Sequence, residues 1–195
     1  MKHLIVGLFT LTSALGFAKG DYTPGKYAID SMHSSVAFEI PHLVISSVEG
    51  KFKSFSGNLD LKKDLDDSSV TATIDVASID TGVEKRDNHL KSGDFFDAAK
   101  HKSITFKSTK VSGSAKDLKI KGDLTIKGIT KTVTLKGKLL GSVTDGYGNQ
   151  KVAFTAKTEI SRKDFGLTWN NMVEAGPVVG DEVTIELKIQ AAKQK

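Results

Sequence analysis

The chain has 195 residues, a formal net charge of +5, 7% aromatic residues and no cysteine. Without cysteine there is no disulfide and no lipid-modified cysteine, so an exported domain of this composition holds together by burial alone. Its basic residues are nearly all lysines scattered singly, whereas a nucleic-acid binder clusters Arg and Lys on one face with aromatics between them; nucleic acid is therefore not an expected partner.

Residues 1–18 read as a cleaved export signal. Lys2 supplies the positive start, Leu4 to Phe17 is mostly apolar, and Gly16-Phe17-Ala18 places small residues where a signal peptidase reads. The apolar run is too short to span a bilayer as a helix, so no integral membrane span is expected. Residues 19–195 then form one domain of ordinary size, with no linker or composition break inside it. A signal of this kind specifies only passage across the inner membrane. The expected location is the periplasm, with full secretion as the alternative.

From there on, period two dominates. Val36-Phe38-Ile40, Val70-Ala72-Ile74-Val76 and Ile104-Phe106 each keep one parity apolar, as do Ile120-Leu124-Ile126, Val133-Leu135-Leu139, Val152-Phe154-Ala156 and Val183-Ile185-Leu187-Ile189. One dry face and one wet face describe antiparallel strands around a single core. Val48-Gly50-Phe52 and Phe55-Gly57-Leu59-Leu61 differ in parity, which predicts a bulge or turn near Lys53-Ser54. Gly128-Ile129-Thr130 predicts a tight hairpin, and 145–149 a looser one. About eight strands result, and inward glycines are expected to let them bend around a closing barrel. Such a barrel either fills with its own side chains or holds one small ligand. Outer-membrane barrels carry aromatic girdles at both interfaces. This chain has no paired girdle positions and ends Ala-Ala-Lys-Gln-Lys, so a membrane barrel is not expected.

One segment breaks the alternation. Residues 79–97, IDTGVEKRDNHLKSGDFFD, gather Arg86, Asp87, His89, Asp94 and the pair Phe95-Phe96 between strands. Connecting segments carry function on a rigid scaffold. The segment is either a site or a helical cap closing one end of the barrel with Phe95 and Phe96 as anchors.

The motifs in order resemble the YceI-like family of exported lipocalin-like proteins. They are Tyr27-x-Ile29-Asp30-x-x-His33-Ser34-Ser35-Val36-x-Phe38, His42-Leu43, Gly50-x-Phe52-x-x-Phe55-x-Gly57 and the segment just quoted. Ile104 to Ser108, Gly122-Asp123-Leu124-Thr125-Ile126-x-Gly128-x-Thr130-Lys131, Asp164 to Trp169 and Val179 to Val183 complete the set. The resemblance covers essentially the whole chain after the signal. It implies an all-β, elongated, eight-stranded antiparallel lipocalin-like barrel with a short helical cap near 80–100. It also implies a long apolar ligand of the polyisoprenoid, quinone or fatty-amide type, held for transport or storage, with no cofactor and no catalytic residues.

The residues themselves support a tail binder. Phe38, Phe52, Phe106 and Phe154 point with the apolar parity of their strands and either line a tunnel or fill the barrel. Phe95, Phe96 and Phe165 are further candidates, and Trp169 either lines the mouth or plugs the bottom. Arg86 either grips a polar head group by its fork or pairs internally with Asp87 or Glu84. His33, His42, His89 and His101 show no zinc spacing, so no metal is expected. There is no Gly-x-Ser-x-Gly elbow. Two other readings remain: an enzyme with His89 and Asp87 or Asp94 as acid and base, and a filled-barrel interaction protein. A homodimer through an edge or an open end is the expected assembly.

Overall fold

Residues 22–174 and 176–195 are described by the computed structural model; the predicted signal at 1–18 lies outside them. The strands are β1 (Gly25–Ile29), β2 (Ser35–His42), β3 (Ser46–Phe52), β4 (Phe55–Leu61), β5 (Ser69–Asp75) and β6 (Ile79–Asp80). After helix α1 (Glu84–Lys91) come β7 (Ser103–Ser114), β8 (Asp117–Ile126), β9 (Ile129–Thr144) and β10 (Gln150–Ser161). A small hairpin of β11 (Met172–Val173) and β12 (Gly176–Pro177) precedes β13 (Glu182–Lys193).

The sheet order β1-β4-β5-β7-β8-β9-β10-β13 closes on itself through β1–β13 pairing, and every ladder is antiparallel. β1 pairs with Ala191 to Lys193 of β13, and β2 with Thr184 to Lys188 of the same strand. β1 and β2 thus act as one bent strand along a single edge. β3 and β4 form a second, broken at Lys53-Ser54 where the parity change predicted it, and β5 and β6 a third. The corner is pinned by Lys53 N–H donating to the Ser78 carbonyl and Asp75 N–H to that of Ser54. The result is an eight-stranded closed barrel, in which each bent strand serves the lower and the upper half of the wall.

Alternation is most regular in β8, where Leu118, Ile120, Leu124 and Ile126 are buried and Asp117, Lys119 and Lys121 are exposed. Lys127 and Gly128 join β8 to β9 with positive φ (50° and 77°), the two-residue turn whose twist matches the strands it connects. Two inward glycines do something other than bend strands. A Cβ on Gly50 would lie 2.3 Å from the Phe38 ring, and one on Gly122 would lie 2.5 Å from that of Phe106. Each ring tip occupies the space that a side chain on the neighbouring strand would fill.

The far end of the barrel is plugged. Tyr27 is fully buried opposite Leu59 of β4, with its hydroxyl donating to the Thr23 carbonyl (2.6 Å). The other end is covered by α1. Glu84 and Asp87 stand in its first turn and His89 and Lys91 in its last, each on the favourable side of the helix dipole. Ser92 ends the helix, and the chain folds back through bonds from Phe96 N–H to the Leu90 carbonyl and Ala98 N–H to that of Lys91. This return buries Phe95 and turns Phe96 toward the barrel.

Candidate binding site

Between plug and cap lie two chambers in series. The deeper, of about 150 Å³, is walled by apolar side chains except for Thr158 and Arg162. The outer, of about 220 Å³, lies under α1 and is bordered by Ile40, Val48, Leu90, Trp169 and Val179. Phe38, Phe96, Arg162, Leu167 and Val183 border both, so the chambers meet. Neither alone reaches the roughly 300 Å³ at which small-molecule pockets begin, but the two in line do. The deep chamber is apolar enough to stay dry, because water needs two to four polar partners.

The structure places Phe38, Phe52, Phe96, Phe106 and Phe154 on the deep chamber. Phe55, which sequence reasoning did not single out, joins them. Phe38 and Phe52 stand 5.9 Å apart, and Phe52 meets Phe96 edge-on at 6.1 Å, so these three rings form the neck between chambers. Phe95, His89, Arg86 and Trp169 border the outer chamber. Trp169 is therefore at the mouth and not at the plugged bottom. Phe165 is fully buried but borders neither chamber; it faces a cleft on the outside of the wall.

His89 links cap and loop. Its ring lies edge-on to Phe95 (5.0 Å) and to Trp169 (4.9 Å), and its Nε2 is 3.0 Å from Asp94 Oδ2. Of the two acids considered for it, Asp94 is the neighbour. Asp87 is engaged elsewhere, accepting from both the backbone N–H and the hydroxyl of Thr81.

Arg86 is held internally, though not by a carboxylate. Its Nε donates to Thr81 Oγ1 (2.8 Å) and its NH2 to the Thr81 carbonyl (2.9 Å). The expected partners Glu84 and Asp87 are replaced by Thr81, whose hydroxyl in turn donates a hydrogen bond to Asp87. The reason is geometric: Thr81 offers two acceptors that match the guanidinium fork, and one Asp87 oxygen already accepts the N–H and hydroxyl of Thr81. Beside this cluster, the Gly82 N–H holds the Asp80 carboxyl below the usual carboxylate range against a smaller opposing effect of burial, with Lys53 assisting.

The residue sequence reasoning missed is Arg162. It is almost fully buried, at 2% exposure, where β10 ends. Its Nε donates to the Gly180 carbonyl (2.7 Å), its NH1 to the carbonyls of Leu167 and Trp169, and its NH2 to Val179 O and Asp181 Oδ1 at 3.4 Å each. A guanidinium has five N–H donors, and all five are spent. Burial lowers its pKa from the ordinary value and Asp181 opposes that. Arg162 is thus a clamp that ties 166–181 across the barrel end, with nothing left to offer a ligand. A signal for it did exist: Arg86 and Arg162 are the only arginines in a lysine-rich chain, and Arg replaces Lys where a fork is needed.

Among the described residues no three His, Asp or Glu side chains converge as metal ligands. His33 pairs with Asp30 (3.0 Å), while His42 borders the outer chamber.

The YceI-like domain model matches residues 27–191. The chain belongs to the YceI-like family. It is 37% identical to protein YceI of Escherichia coli O17:K52:H18 over 198 residues, covering 100% of both chains, and equally so to protein YceI of Salmonella newport. Among solved structures it is similar to Campylobacter jejuni YCEI protein, at 30% identity and a TM-score of 0.69, over 80% of this chain and 91% of that one. Burkholderia cenocepacia BcnA gives 26% and 0.74, over 83% and 98%. A polyisoprenoid binding domain from Saccharophagus degradans gives 15% and 0.65, over 86% and 98%, a likeness of fold alone. These YceI-like relatives share the closed barrel, and the family points to a binding protein rather than an enzyme.

Proposed function

We propose that the protein is an exported carrier that holds one long apolar chain, of the polyisoprenoid, quinone or fatty-amide type, along the barrel axis. The observation that carries this reading is the pair of chambers in series: the deeper is apolar except for Thr158 and an Arg162 with no free donor, and the outer adds His42, Arg86 and His89 to an otherwise apolar lining. Each buried CH₂ contributes roughly 0.8 kcal/mol, so a chain of many carbons offsets the cost of ordering its tail and losing translational freedom. Arg86 spends two of its five donors on Thr81, which fixes its side chain at the border of the outer chamber. The polyisoprenoid ligand of the Saccharophagus degradans domain and the export signal read from residues 1–18 support the chemistry and the compartment.

The test is mass spectrometry of an organic extract of the purified protein, paired with native mass spectrometry after incubation with prenyl and acyl chains. A co-purified or captured chain at one per protein is expected. Only apo mass under every condition defeats the reading. The His89–Asp94 pair at the mouth favours one rival, an acid–base enzyme acting on the same ligand; chemical turnover of the released chain, abolished by His89→Ala, establishes that rival instead.

A further inference from the structure

The barrel wall has a split. The β9–β10 ladder ends at Lys136↔Lys157. Beyond it, residues 129–135 pair only with β8, and Thr158 to Ser161 only with β13. Open edges inside a closed barrel forgo backbone hydrogen bonds, a cost that proteins otherwise avoid. Beyond that point each edge keeps only its other partner. The Arg162 N–H donates to the Asp181 carbonyl and pulls the end of β10 toward β13. Lys127 at the β8–β9 turn reaches the carbonyls of Gly93 in the cap return and Gly166 in the turn that follows β10, so the split is bridged at that end.

The split opens to the outside as a cleft of about 670 Å³. Its outer walls are polar, with Lys131, Thr134 and Lys136 on β9 facing Glu159 and Ser161 on β10. Its floor is apolar. Val133, Thr158 and Ile160 border both this cleft and the deep chamber, so one layer of side chains separates water from the dry interior. Lys131 and Lys136 make no ion pair or side-chain hydrogen bond among the described residues, unlike Lys157, which is 3.3 Å from Glu186. The cleft is thus graded from free polar groups to apolar ones over the thickness of the wall, which is the profile of an amphiphile.

We propose that this split is a side portal: the apolar chain passes between Val133 and Ile160 into the deep chamber while a polar, hydrogen-bonding head stays in the cleft between the β9 and β10 edges. The portal rests on the carrier reading above. It differs from loading through the mouth, which α1 and the His89–Phe95–Trp169 ring cluster cover.

Since the chain has no cysteine, the pair Thr134→Cys and Glu159→Cys carries the only thiols and can be joined across the cleft by a short bis-maleimide with a cleavable disulfide in its spacer. The bridged species is isolated by mass, and uptake of a dansyl-labelled fatty acid is followed by stopped-flow fluorescence before and after the spacer is reduced. Uptake slower by about tenfold or more, equivalent to about 1.4 kcal/mol on the barrier, with recovery on reduction, is expected. The same bridge at Lys107→Cys and Asp123→Cys, a cross-strand pair on the intact β7–β8 wall, leaves uptake unchanged. Equal uptake before and after cleavage overturns the portal, and so does slowing that reduction fails to reverse. Failure of the wild type to take up the dansyl fatty acid, measured first, counts against the carrier reading itself.

Discussion

The dryness of the deep chamber is most directly challenged by Phe106→Glu. Phe106 is 8% exposed and borders the chamber beside Ile104, Leu124 and Phe154. The polar groups on that wall are Thr158 and an Arg162 whose five donors are taken. The introduced carboxyl therefore finds no free donor to pair with. It stays protonated at pH 7, and keeping it so costs about 4 kcal/mol, from an ordinary pKa of about 4.3 at 1.36 kcal/mol per unit. Loss of the ring's packing adds about 3 kcal/mol. The sum of about 7 kcal/mol is comparable to the whole stability of a domain, about 5–15 kcal/mol. The sign with pH follows. A carboxyl whose folded pKa is raised carries no electrostatic penalty below its unfolded value, and the penalty grows as pH rises above it. Urea unfolding followed by circular dichroism is thus expected to show a variant-minus-wild-type deficit that is large at pH 7 and shrinks by about half near pH 4.5. Phe106→Leu, which has no charge, shows the same small deficit at both. A deficit for Phe106→Glu that does not change with pH would mean that the carboxyl is hydrated or paired, and the dry tunnel would be refuted.

Arg162→Met strands the carbonyls of Leu167, Trp169 and Gly180; urea unfolding is expected to lose about 3 kcal/mol or more, and Arg162→Lys, with three donors and no fork, rescues little. Arg86→Ala frees Thr81 and is expected to cost about 1–2 kcal/mol in thermal unfolding while weakening anionic and uncharged ligands alike; selective loss of anionic ligands in a binding titration reassigns Arg86 to a head group. Burial pushes Asp30 up, but bonds from His33 and Lys151 outweigh it and hold the carboxyl below its usual range. Its contribution is therefore present at neutral pH and lost as pH falls through that lowered value, so the gap between wild type and Asp30→Asn in urea midpoint is expected to close with acidification. Val44 sits in the left-handed region at φ 66° and is 66% exposed; Val44→Gly is expected to raise stability by about 1 kcal/mol, and a lowered melting temperature contradicts that.

The fold was legible because strand parity is a local property. Leu118 to Ile126 declare their inner face without reference to any other segment, and the parity change at Lys53-Ser54 marks the corner between β3 and β4 in the same way. The family motifs carried the rest of the architecture. The candidate site was legible in part. The phenylalanines of the neck follow from parity, but Phe165 shares their chemistry and borders neither chamber, since it lies in the turn after β10 where parity no longer applies. Whether a ring fills the barrel or lines a tunnel depends on what faces it across the sheet, as Gly50 does for Phe38 and Gly122 for Phe106.

By itself, then, the sequence determined the alternation, the turns and the cap, all set by neighbours within a few residues. Tertiary structure alone decided the rest. Thr81 rather than an acid holds Arg86, because fork geometry selects acceptors by position in space. Arg162 gathers carbonyls from 167–180 that carry no side-chain signature in a linear reading. The split between β9 and β10 lies where their ladder stops, and no periodicity within either strand encodes where its pairing with the other ends.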